Sequence, residues 1–216
     1  MNNLQKMGGI ASLGMAAIYL VGFAIFFLIL NPGAPLEPVE RVAFLVNNEI
    51  INFVTILLIY VVAGFILVVL VQGLHERLKA GSPAMMQTSA VFGFIWAGIV
   101  IVAGMIYIIG MDTVIGLYEK DPAQAASVWL IVGIVFQGLG GGIETVGGLW
   151  TLMISWAALR SGEFPKILNY LGLVVGIAGI VTIVPALEDL TIVFGLGQIP
   201  WFIWVGIILL KGGKND

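Results

Sequence analysis

Residues 50–74 read IINFVTILLIYVVAGFILVVLVQGL, with no Asp, Glu, Lys or Arg among them. A helix needs about 20 mainly apolar residues to cross a hydrocarbon layer roughly 30 Å thick, and this run is long enough. It is apolar on nearly every face, so a helix built from it has no side suited to water. Five further runs share that character: 8–30, 84–109, 127–156, 167–185 and 191–210. The segments between them are short and polar, too small to hold a soluble domain. The chain is therefore predicted to be all-α, a polytopic membrane helix bundle with six transmembrane helices in a single domain spanning residues 1–216.

Composition agrees. Hydrophobic residues make up 60% of the chain and charged residues 10%, against about 25% charged in an average soluble domain. The mean hydropathy is +1.11. A net charge of −3 without clustered Lys and Arg argues against a nucleic-acid partner. The first run is longer than the 7–15-residue core of a signal peptide, and Asn31-Pro32-Gly33 is a poor cleavage context, so the run reads as an uncleaved span.

Charge placement orients the bundle. With the N-terminus in the cytoplasm, Lys6, Arg77, Lys79, Arg160, Lys166, Lys211 and Lys214 all lie inside. Only Arg41 and Lys120 lie outside, which is the asymmetry that the positive-inside rule expects. The expected topology is N-in and C-in. Trp129, Trp201 and Tyr118 then fall toward the outer boundary, with Trp156 and Tyr170 toward the inner one, as interfacial anchors do. Residues 39–45 form an amphipathic segment suited to the membrane surface, and residues 113–118 admit a similar reading.

Small residues suggest how the spans pack. Gly172, Gly176 and Gly179 share one face of span five, and Gly93, Ala97 and Gly104 recur along span three. In lipid, close backbone approach supplies much of the attraction between helices. Packing within one bundle is the simpler use of these faces, and contact with a second copy, as a homo-oligomer, is the other. The turns at 78–83 and 159–165 echo each other: a base ends one helix, glycine breaks it and proline opens the next. Such an echo fits parallel repeats of the transporter kind, and also ordinary helical hairpins.

One ionisable side chain lies deep in a span. Glu144 sits in Gly138-Leu139-Gly140-Gly141-Gly142-Ile143-Glu144-Thr145, near the middle of span four. Charging a carboxyl group there costs at least about 2.5 kcal/mol, so an intramembrane acid is a site hypothesis by default. A packing role, hydrogen-bonded to a neighbour, is the alternative. Two spans look interrupted: span four at glycines 138, 140, 141 and 142, and span six at Gly195-Leu196-Gly197-Gln198-Ile199-Pro200. Irregular backbone survives at that depth only beside protein or a watery cavity. Asn48, Asn52 and Thr55 share one face of span two. With Gln137, Thr145, Gln198, Thr182 and Tyr107 they are expected to line an outward-opening polar vestibule above Glu144. Interhelical hydrogen bonds would explain the same residues without a ligand.

What is missing narrows the chemistry. With no cysteine, disulfides, thiol nucleophiles and thiolate metal sites are absent. The single histidine, His75, stands beside Glu76 and Arg77 at a helix end. It cannot build a three-ligand zinc site, a bis-histidine haem or an evident triad. The glycines of span four follow no strand, so they are not a nucleotide loop. No catalytic residue, metal or cofactor is expected.

The segment Gly147-Gly148-Leu149-Trp150, through Ser155-Trp156-Ala157-Ala158-Leu159-Arg160-Ser161-Gly162 to Phe164-Pro165-Lys166-Ile167-Leu168, carries a family resemblance. It resembles the prokaryotic membrane proteins grouped as domain of unknown function 4386. Their shared pattern is a Gly-Leu-Trp helix, a basic-small-Gly turn, Pro-[Arg/Lys]-Ile-Leu and a Leu-Gly-rich helix, filled here by Leu171-Gly172-Leu173 and Gly176. The resemblance implies a multi-pass bundle in the cell membrane of a bacterium or archaeon, and it brings no established activity.

The function expected is non-enzymatic: binding or transport of a small solute or ion, with Glu144 as ligand or proton-linked gate. The alternative is a structural or regulatory subunit packing against lipids or other membrane proteins. The bilayer is the partner in either case, with a solute, ion or lipid as ligand in the first.

Overall fold

A computed structural model describes residues 3–31, 33–141 and 144–211. Every regular element among them is helical. Helix α1 (Asn3–Leu28) is followed by α2 (Pro38–Asn47) and α3 (Glu49–Ile56). A π-turn at Leu57–Val62 carries α3 on into α4 (Ala63–Leu78). Then come α5 (Pro83–Tyr118) and α6 (Pro122–Phe136), the latter ending in a second π-turn, Gln137–Gly141. After α7 (Thr145–Ser161) and α8 (Lys166–Val181), a 3-10 turn at Pro185–Leu187 leads into α9 (Leu190–Lys211).

Among the described residues, five stretches are long and apolar enough to cross a membrane: Asn3–Leu28, Glu49–Leu78, Pro83–Tyr118, Pro122–Ser161 and Leu190–Lys211. The remaining predicted span, 167–185, is shorter than expected. Its helix, α8, has 16 residues, about 24 Å at 1.5 Å per residue. It stops at Val181 because the Thr182 hydroxyl donates back to the Gly179 carbonyl at 2.7 Å and Pro185 opens the 3-10 turn.

Two tertiary contacts define one end of the bundle. Gln5 donates to the Leu209 carbonyl at 3.4 Å, joining the start of α1 to the end of α9. Arg77 pairs with Glu163 at 2.6 Å, joining the α4–α5 turn to the α7–α8 turn. The two turns that echo each other in sequence therefore adjoin in space. Only the second breaks its helix with a left-handed glycine, Gly162 at φ 69°, whereas Gly81 does not adopt that conformation.

At the opposite end α2 lies across α5 and α6, burying Val42 and Leu45 against Met111, Val114, Ala125 and Ala126. Pro38 opens α2, and Glu37 and Glu40 close a reciprocal capping box around its first turn. Residues 39–45 are thus a separate short helix, as their amphipathicity predicts. Residues 113–118 are not: they are the last turns of α5, a continuous helix of 36 residues. Val114 is held under α2, so this stretch has a protein-covered face rather than a free one.

The buried core joins aliphatic side chains to a group of aromatic ones. Trp150, Trp201, Phe194 and Phe202 are fully buried, with the Trp150 and Trp201 rings 5.9 Å apart. Trp201 is therefore core and not the interfacial anchor that its position in sequence suggests, while Trp156 and Tyr170 are exposed. The small-residue faces pack inside the bundle. A Cβ placed on Gly148 would lie 2.6 Å from the Gly176 carbonyl oxygen, which measures how closely α7 and α8 approach.

Span six is not interrupted. Helix α9 runs unbroken through Pro200, with Gly195 packed on Phe23 and Gly197 on Val175. Glycines here let neighbouring side chains approach and do not end the helix.

Candidate functional site

The break in span four is real, and glycine makes it. Gly140 stands at φ 94° and ψ 21°, a conformation that side-chain-bearing residues avoid. Gly142 and Ile143 lie outside the described residues. The chain becomes helical again at Thr145, leaving Glu144 just before the first turn of α7 at φ −96° and ψ 23°.

The main chain of Glu144 is tied to α8. Its N–H donates to the Thr182 hydroxyl at 2.8 Å, and that hydroxyl donates to the Gly179 carbonyl at 2.7 Å. Its carbonyl accepts the Gly148 N–H at 2.7 Å. With the backbone fixed on one side, the half-buried side chain lines a cavity on the other.

That cavity has a volume of about 370 Å³. Helix α1 supplies Tyr19, Phe23 and Phe26, the first π-turn Ile59 and Tyr60, and α5 Trp96 and Val100. Gly140, Gly141 and Glu144 come from the break, and Thr191 and Phe194 from α9. Both π-turns meet at this wall: the Tyr60 hydroxyl donates to the Gly141 carbonyl at 3.4 Å, and its ring lies 4.9 Å from that of Phe136. The first accommodates an extra residue in a helix, a form frequent at functional sites, whereas the second contains the non-helical Gly140 and is part of the break itself.

Among the described residues, Glu144 is the sole acid on the wall, and no Lys, Arg or His lines it. Among the described residues, no three His, Asp or Glu side chains gather as metal ligands. A second, wholly apolar cavity of about 190 Å³ runs between α1 and α3 and shares Gly22 and Ile59 with the first.

Of the polar residues that sequence places in one vestibule, Thr182 bonds to the main chain of Glu144, and none of them lines the cavity with it. Asn48 donates to the Phe44 carbonyl at 2.8 Å, Asn52 to the Asn48 carbonyl at 3.0 Å, and Thr55 to the Ile51 carbonyl at 2.6 Å. Asn52 also accepts the Tyr107 hydroxyl at 3.3 Å, and Thr55 lines the smaller cavity and not the one at Glu144. Gln137 is exposed. Thr145 donates to the Ile180 carbonyl at 3.4 Å, and buried Gln198 donates to the Thr151 hydroxyl at 2.7 Å. Apart from exposed Gln137, each finds its hydrogen bond within its own helix or across to a neighbour, because a polar side chain in an apolar surround takes the nearest acceptor.

Glu144 therefore faces an aromatic chamber instead of a polar one. The aromatic wall escapes sequence reading, since apolar side chains facing lipid and those facing a cavity look alike. Chemically, the chamber offers one carboxyl group that can exchange a proton or meet a cationic or hydrogen-bond-donating group. Apolar walls would hold the rest of a ligand.

No curated protein matches the chain, and no solved structure does. The family model "Domain of unknown function (DUF4386)" matches residues 7–210. The fold fits the multi-pass bundle expected from the Gly-Leu-Trp and Pro-Lys-Ile-Leu segments, and with nearly its whole length matched the chain belongs to the DUF4386 family.

Proposed function

We propose that this protein is a non-enzymatic integral membrane protein that binds a small solute or ion beside Glu144 and passes it across the bilayer. One observation carries the reading: the lone deep acid, the glycine break at Gly140 and the first π-turn converge on one cavity. A subunit that only packs against neighbours has no use for a chamber around a carboxyl group. Its best support is α6, where Leu130, Ile131 and Ile134 are each more than 60% exposed; lipid covers such a face equally well. We further propose six crossings with both termini cytoplasmic, the short α8 included, in the cell membrane of a bacterium or archaeon. The distribution of Lys and Arg supports the orientation, and the resemblance to prokaryotic family members supports the setting.

The test uses protein in liposomes with a pH-indicator dye trapped inside. Under an imposed proton gradient the native chain is expected to carry protons across. Glu144→Gln, which keeps shape and removes the titrating group, is expected to lower the rate at least tenfold. Equal rates for the two proteins would remove Glu144 from the proposed role.

A further inference from the structure

We infer that the cavity at Glu144 takes a lipophilic organic cation, a monovalent onium or ammonium group carried on an apolar, aromatic-sized body. This names the ligand class for the site proposed above and rests on that reading. Seven of the sixteen residues lining the cavity are aromatic, whereas aromatics make up 11% of the chain. Tyr19, Phe23, Tyr60, Trp96 and Phe194 present rings from four separate elements to one space. A ring face is electron-rich and attracts a cation within about 6 Å of its centroid, most strongly where water is excluded.

Among the described residues of the wall, Glu144 adds the only acidic side chain, and no basic residue is there to neutralise it. A small metal ion would need several oxygen ligands in place of its hydration shell, and aromatic walls supply few. An anion would meet a carboxyl group and ring faces, both unfavourable. A bulky cation with its charge spread over apolar groups fits each feature: it needs little hydration, fills an apolar space and gives the carboxylate a counter-charge.

The neighbouring apolar cavity marks a route. It adjoins the main one at Gly22 and Ile59, and it has lipid-side residues such as Ala17 and Val21, both exposed, along α1. A ligand that already partitions into the bilayer can approach sideways between α1 and the first π-turn.

Equilibrium dialysis of nanodisc-embedded protein tests the assignment, with empty nanodiscs measuring partition into lipid. Radiolabelled tetraphenylphosphonium is the cation, and triphenylphosphine oxide is its neutral comparator. Saturable binding of the cation at least tenfold tighter than the comparator is expected on the native chain, which needs no variant. Glu144→Gln should remove that preference, Glu144→Asp should restore part of it, and Val100→Trp, which fills the chamber, should weaken both ligands. If both ligands saturate alike and Val100→Trp weakens both, the cation assignment is overturned while the cavity remains a binding site. If neither saturates, the assignment is likewise overturned, and the proton-flux measurement judges the broader reading separately.

Discussion

Gly148 and Gly98 are both helical glycines, yet they sit in opposite surroundings. Alanine favours a helix over glycine by about 1 kcal/mol, which by itself would stabilise either position. At Gly148 the new methyl group would lie 2.6 Å from the Gly176 oxygen and the Ile180 nitrogen, both backbone atoms. Backbone cannot rotate away, so α7 and α8 would have to separate, at a cost typical of overpacking, about 1–3 kcal/mol. At Gly98 nothing lies within 4 Å. Thermal unfolding in detergent should therefore show Gly148→Ala destabilised and Gly98→Ala unchanged or slightly stabilised; equal midpoints would contradict the close approach. The recurrence of glycines 172, 176 and 179 makes this helix face legible from sequence. Its partner, Gly148, is one of many span-four glycines and is picked out only by tertiary contact. Glu144 is likewise legible as a lone deep acid, whereas its tie to Thr182 depends on where α8 ends.

Helices α6–α7 and α9 carry similar warning signs in sequence, glycines clustered at depth, and resolve differently. In the first, Gly140 takes a left-handed conformation and the helix breaks. In the second, Gly195 and Gly197 stay helical beneath Phe23 and Val175, and the helix continues through Pro200. Neighbouring helices and local adjustment make such prolines tolerable in a membrane. Pro200 is exposed and does not line the cavity. Pro200→Ala is therefore expected to leave tetraphenylphosphonium binding and proton flux within twofold of native while the unfolding midpoint holds or rises. A tenfold loss of either activity would reinstate span six as part of the site. The π-turn at Leu57–Val62 had no warning at all. Its residues, LLIYVV, contain no glycine or proline, and two of them, Ile59 and Tyr60, line the cavity at Glu144.

For the whole molecule, the number of crossings turns on α8, which at 16 residues is shorter than the usual span. Its partner α7 has only 17 residues after the break at Glu144, so the pair forms a short hairpin whose far ends are joined through Thr182. A short helix is accommodated by local thinning of the bilayer, at fractions of a kcal/mol per Å. The chain has no cysteine, so single-cysteine variants report position directly through a membrane-impermeant maleimide applied to intact cells. Ala80 lies in the turn clasped to the α7–α8 turn by Arg77 and Glu163, so one label there reports on both turns. Gln124 opens α6 at the other end of the bundle, and Ala186 follows α8. Six crossings with cytoplasmic termini expect Ala80→Cys to be protected until the cells are permeabilised, and Gln124→Cys and Ala186→Cys to react at once. Protection of Ala186→Cys together with Ala80→Cys would mean that α8 turns back without crossing. The bundle would then have five crossings, and the last helix would run in the opposite sense to the one that the charges favour.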